Sequence, residues 1–161
     1  MGRLIITLQL CRDDFLGYPI FYISEYFKRH RQVYFQKLTK YRHNQINNWL
    51  EFFLEGVREV SESATFTAKK LVDLRDADYK IVHSLGRGAP SALKLLQSLY
   101  NQPIVNATQV AERVGITRQA AYILIKKFVD SGILCKLDES KQRASEFIHQ
   151  DYIRIFQESP I

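Results

Sequence analysis

Between Trp49 and Leu85 the chain contains one glycine, Gly56, and no proline. Across that span Phe53, Val57, Val60, Ala64, Thr67, Leu71, Leu74, Asp78, Ile81 and Leu85 succeed one another by fours and threes. Such steps hold these residues on one face of an α-helix. A helix of this length excludes a strand-rich architecture and commits the chain to a mainly α fold. The stripe is imperfect only at Thr67 and Asp78, where polar side chains take apolar positions. It packs against other helices of the same chain or forms a seam between two copies, so a homo-oligomer is one expected assembly.

The composition agrees with a folded domain. Hydrophobic residues make up 46% of the 161 and charged residues 25%, which excludes a disordered tail. Lys and Arg outnumber Asp and Glu by 23 to 17, giving a formal net charge of +6 and a pI of about 9.3. A basic balance permits a polyanionic partner without proving one. The excess is spread evenly, with 13 basic and 10 acidic residues up to Gly86 and 10 and 7 after it. Cys11 and Cys135 match no metal-ligand spacing and are too few for a disulfide framework. They read as reduced thiols of a cytoplasmic protein. No apolar run approaches the roughly 18 residues of a membrane span. Arg3 and then Leu4-Ile5-Ile6-Thr7-Leu8 mimic a signal peptide, but Gln9, Arg12, Asp13 and Asp14 interrupt it. No membrane, metal or cofactor is expected.

Leu4 to Cys11 is a short apolar run that periodicity alone leaves open as a buried helix or a strand. Asp13, Asp14 and Gly17 read as a turn. Pro19 suits the first position of a helix whose apolar face is Ile20, Ile23, Tyr26 and Phe27. From Lys28 to Asn48 come six Lys/Arg and two His with no acid, while Tyr34, Phe35 and Leu38 continue an apolar face. This segment is either the solvated basic face of a core helix or a binding surface for an acidic partner.

Ser84, Gly86, Arg87, Gly88 and Pro90 form the breaker cluster that divides the sequence into 1–88 and 89–161. Beyond it, Ser91 is expected to cap a helix through Tyr100, with Leu93, Leu95, Leu96 and Leu99 inside. Asn101-Gln102-Pro103 ends that helix. Asn106 to Val114 forms the next, Gly115 supplies a left-handed turn, and Thr117 caps a third helix running to about Asp130. Residues 133–137 and 144–149 read as two short strands around a polar tip. Tyr152, Ile153 and Phe156 lie on a closing helix.

Helix, helix, glycine turn, helix, hairpin is the order of a winged helix-turn-helix. On its third helix Ala121, Leu124, Ile125 and Phe128 point to the core, and Arg118, Gln119, Tyr122 and Lys126 line the other side. Arg and Gln suit bidentate contacts with G and A edges in a major groove. Tyr122 suits a phosphate or a thymine methyl, and Lys127 the phosphate backbone. Lys141 and Arg143 at the wing tip could reach an adjacent groove or phosphates. DNA is therefore the expected partner. A protein-contact module is the alternative, because winged helices also bind proteins.

Three blocks in the first half carry a resemblance. They are Gly2-Arg3-Leu4-Ile5-Ile6-Thr7-Leu8-Gln9-Leu10, then Tyr22 to Arg31 with Tyr34-Phe35, then Trp49-Leu50-Glu51-Phe52-Phe53-Leu54-Glu55-Gly56-Val57. They resemble the helices downstream of the active-site loop in Fic-family proteins, many of which also end in a winged helix. The resemblance implies a family activity of transferring AMP, or another phosphate-containing group, from a nucleotide to a target hydroxyl. The family's motif is a His, an acid, a Gly-Asn-Gly-Arg phosphate loop and a closing Arg. Its His acts as general base, its loop offers N–H groups to phosphates, and its acid holds a divalent cation. Only Gly2 and Arg3 match the end of that motif, Arg3 as the closing arginine with a phosphate contact. No Gly-rich loop stands after His30, His43, His83 or His149. His30 instead caps or packs in a helix pair.

The combined expectation is a helical bundle resembling the distal part of the Fic fold over 1–88, then a winged helix-turn-helix with a small β-hairpin over 89–161. On this reading the chain is the C-terminal portion of a Fic-like protein and is not expected to transfer AMP as it stands. Its expected function is DNA binding. The alternatives are a protein-interaction or targeting module, and an enzyme fragment needing its N-terminal part in trans. Leu4–Leu10, buried in the Fic fold, would here be exposed, repacked or covered by another chain.

Overall fold

The apolar spacing of the sequence is realised mainly as helix. A computed structural model describes residues 5, 8, 9, 11–14, 22–138 and 145–158. Its elements are α1 (Ile23–Arg29), α2 (Arg31–Arg42), α3 (Ile46–His83), a 3₁₀ turn (Gly86–Gly88), α4 (Ala89–Asn101), β1 (Ile104–Asn106), α5 (Ala107–Val114), α6 (Arg118–Asp130), β2 (Cys135–Lys136), β3 (Glu146–Ile148) and α7 (Gln150–Gln157). Two compact units divide within α3. One reaches to Phe66 and the other covers Thr67–Glu158. The breaker cluster lies inside the second unit, whose core already includes Val82, with Tyr79, Ile81 and Leu85 packed against it. No helix among the described residues is long and apolar enough to cross a membrane.

The first unit is built around aromatic rings. Ile23, Tyr26 and Phe27 of α1 and Phe52 and Val60 of α3 are buried together. Phe27 lies 4.9 Å from Tyr34, 5.9 Å from Trp49 and 5.9 Å from Phe52 between ring centroids. His30 joins α1 to α2 without a side-chain capping bond, and its ring packs 4.6 Å from Tyr26. Of the two roles expected for His30, packing is the one observed.

The N-terminal half of α3 is rotated from the expected stripe. Its buried row is Phe52, Gly56, Val60 and Ser63, while Phe53 and Val57 are half-buried and Ala64 is exposed. The cause is Gly56. A Cβ there would lie 2.6 Å from Cδ1 of Tyr26, so the glycine lets the buried Tyr26 ring sit against the helix backbone. Of the N-terminal run, Ile5, Leu8, Gln9 and Cys11 are helical, and Ile5 and Leu8 are exposed. Gly17, Pro19 and Ile20 lie outside the described residues.

The second unit closes around Leu95, Leu96, Leu99, Val105, Val110, Ala121, Ile125 and Phe128. Helix α4 starts earlier than expected. Pro90 occupies its first turn, where a missing N–H costs nothing, so Ser91 lies inside the helix and does not cap it. Asn106 forms a capping box. Its Oδ1 accepts from the N–H of Thr108 at 3.1 Å and Gln109 at 3.0 Å, and the Gln109 side chain accepts from the Asn106 N–H at 3.0 Å. Gly115 takes φ 76° and ψ 43°, the left-handed turn that separates α5 from α6.

The sheet has three antiparallel strands in the order β1-β3-β2. Val105 faces Phe147 on one side of β3, and Cys135 faces Ile148 on the other. The two expected strands shorten to 135–136 and 146–148, and β1 was not foreseen. Three residues after Pro103 are too few to show a period of two.

Candidate nucleic-acid interface

Helix α6 is held by its apolar edge and presents a polar one. Ala121, Leu124, Ile125 and Phe128 are buried, and Phe128 is fully enclosed. The Thr117 Oγ1 accepts from the Ala120 N–H at 3.2 Å and fixes the first turn. Buried residues on one edge force the opposite edge into solvent, because each residue turns the helix by about 100°. Gln119 and Lys126 are exposed there, Tyr122 and Lys127 are exposed on its flanks, and Arg118 is exposed at the first turn. The first turn carries no acid, so its orphan N–H groups and the Arg118 charge act in the same sense toward an anion.

The five side chains are not equivalent. Gln119 and Lys126 point most directly outward. Lys127 lies to one side, over the 3₁₀ turn, where a Cβ at Gly88 would be 3.5 Å from its Nζ. Two exposed acids, Glu112 on α5 and Asp130 at the end of α6, bound the positive surface. Lys141 and Arg143 lie outside the described residues, and so does Arg3.

Ile123 was missed in the sequence. It is 57% exposed on the same face as Gln119 and Lys126. Helical spacing could have found it, since 119, 123, 126 and 130 are separated by four, three and four. It gives the polar face an apolar point suited to a thymine methyl or to a protein.

A second missed group is buried. Asp78, the polar break in the stripe, is 3% exposed. Its Oδ2 accepts from the Tyr100 hydroxyl at 2.8 Å and lies 2.8 Å from Nε2 of His149, 71 residues away. The Tyr152 hydroxyl donates to the Tyr100 carbonyl at 3.1 Å. Burial, then the hydrogen bond to Asp78, pushes the Tyr100 phenol well above the usual tyrosine range. A polar residue on an apolar stripe must find a partner when buried, and that rule was the available signal. The network joins α3 and α4 to the start of α7.

Cys11 and Cys135 form no disulfide. The Cys135 thiol lies 3.1 Å from Gln150 Oε1, with no base beside it among the described residues. No group of three metal-ligating side chains occurs among the described residues. No protein-family model matches the chain.

Proposed function

We propose that residues 89–157 form a winged helix-turn-helix whose helix α6 reads duplex DNA. One observation carries the proposal: Gln119, Tyr122 and Lys126 share the solvent face of a helix that is capped, buried on its other edge and preceded by a left-handed turn, with Arg118 exposed at its first turn and Lys127 on its flank. Arg118 and Gln119 sit at the N-terminal end, the end that meets base edges when such a helix enters a major groove. Tyr122 and Ile123 supply apolar contact, and Lys127 a phosphate contact. Lys141 and Arg143 belong to the proposed wing. In the same proposal residues 1–88 are a Fic-like distal segment. With no His preceding a Gly-rich loop, the chain is assigned no AMP transfer, and labelled ATP with a panel of targets tests this.

The test of DNA binding is a titration against a randomised duplex pool at two salt concentrations. Affinity should fall steeply with salt as counterions are released. Arg118→Ala and Gln119→Ala should each remove about 1–3 kcal/mol of base discrimination, whereas Lys127→Ala should weaken all sequences alike. Absence of any enriched sequence, with affinity unchanged by Arg118→Ala, rejects the reading. Exposed Ile123 favours the second reading, a protein-contact face, which that outcome would promote.

A further inference from the structure

Helix α2 lies in the most basic part of the chain and buries none of its residues. Six Lys/Arg and no acid fall between Lys28 and Asn48. Two of the six are engaged. Lys28 Nζ lies 3.9 Å from Glu25, and Arg29 pairs with Glu59 at 2.8 Å. The other four, Arg31, Lys37, Lys40 and Arg42, make no ion pair among the described residues.

Aromatic rings are interleaved with them. Phe35 is 53% exposed, and the Arg31 guanidinium sits 5.8 Å from its ring centroid. Arg31, Phe35, Thr39 and Arg42 are spaced by four, four and three, so they share one face. Tyr41 is also exposed, beside Lys40 and Arg42.

The arrangement discriminates between polyanionic partners. A helix lying in a membrane surface needs its apolar and basic residues on separate faces. In α2 they are mixed around the axis. A protein interface needs an apolar centre inside a polar rim. In α2 the exposed apolar side chains Val33, Phe35 and Tyr41 are separated by polar and charged ones. A single nucleic-acid strand asks for what is present, flat π-faces for bases with cations a few ångströms away for phosphates. Arg adds a second stacking plane, which Lys cannot.

We propose that α2 is a contact surface for single-stranded nucleic acid, a base stacking on Phe35 beside Arg31 while Arg42 meets the phosphates. Stacking on a ring face tolerates sequence, because every base has a π-face. The proposal does not rest on α6.

The experiment measures fluorescence anisotropy of labelled oligo-dT and oligo-rU of about 15 nucleotides with the full chain, at two salt concentrations. An equally long duplex and a poly-Glu peptide are the other probes. The dT and rU arms report whether the strand is DNA or RNA. Both single strands should bind, with a salt slope near −2 if about three phosphates are contacted. Phe35→Leu should cost about tenfold or more in affinity at unchanged slope, and Phe35→Tyr should retain it. Arg42→Glu should weaken binding and flatten the slope. Arg118→Ala should leave single-strand affinity unchanged, so failure of the α6 reading is scored separately on the duplex. Poly-Glu binding as tight as the oligonucleotides, or affinity indifferent to Phe35→Leu, overturns the proposal.

Discussion

Helices α2 and α6 are nearly equal in length, at 12 and 13 residues, and both carry exposed basic side chains. They are held in opposite ways. Helix α6 buries Ala121, Leu124, Ile125 and Phe128 along one edge and takes a Thr117 cap, whereas α2 buries no residue and has no side-chain cap. A helix fixed along one edge presents a defined set of side chains in a defined register. That is the requirement for reading bases, which tolerates little misplacement. Helix α2 packs half-buried Tyr34 against the aromatic cluster and leaves Arg31, Phe35 and Arg42 exposed, a surface that suits a sequence-tolerant partner. Net charge separates the two segments less sharply than burial does, since α2 has four basic residues and no acid and α6 three and Asp130.

The largest break in this comparison should come from removing an anchor. Phe128→Ala should cost about 3–5 kcal/mol and release α6 from its core, while Phe35→Ala on α2 should stay within about 0.5 kcal/mol. Urea unfolding monitored by circular dichroism checks both. Equal costs would show that α2 is held by contacts as close as those of α6.

A smaller effect is expected at Gly56. Alanine there must displace the Tyr26 ring, so Gly56→Ala should destabilise by about 1–3 kcal/mol although alanine is the better helix former. The loss should appear in the first unit, as faster amide exchange in α1. A stabilised variant would mean that the ring can move aside.

Thr117→Ala should cost about 1 kcal/mol by opening the cap of α6, again read from urea unfolding. It sharpens the comparison because α2 offers no counterpart to remove.

The last effect is read through its pH dependence and concerns Tyr100. Its phenol is raised in the folded state, so the folded form holds its proton more tightly than the unfolded form. An unfolded tyrosine ionises near about pH 10. The contribution is therefore complete below that pH and is lost as pH rises through the higher folded value. Alkaline unfolding should begin at lower pH in wild type than the other core contacts would set, and Tyr100→Phe should remove that component. An unchanged alkaline profile in Tyr100→Phe refutes the linkage.

How far the sequence could be read depended on the range of the interaction. The capped helices α5 and α6 and their glycine turn are legible because cap, period and turn act within a few residues. The residues 118, 119, 122, 126 and 127 are placed on α6 by counting, and Ile123 and Asp130 on that face were passed over. The row buried in α3 was misplaced by one position because Tyr26, thirty residues earlier, decides which side of Gly56 is covered. Strand β1 was missed because its pairing with β3 lies more than forty residues away, between Ile104 and Ile148.

By itself the sequence determined the mainly α character, the helix-turn-helix order of the second half and the polar face of α6. Each is written in periodicities and caps that a chain satisfies locally. The tertiary structure alone decided where the compact units divide, which side of α3 is buried and that Asp78 meets both Tyr100 and His149. No local rule brings together residues 22 and 71 positions apart. A buried carboxylate takes whichever donors the packed core delivers to it, and only the folded chain specifies those.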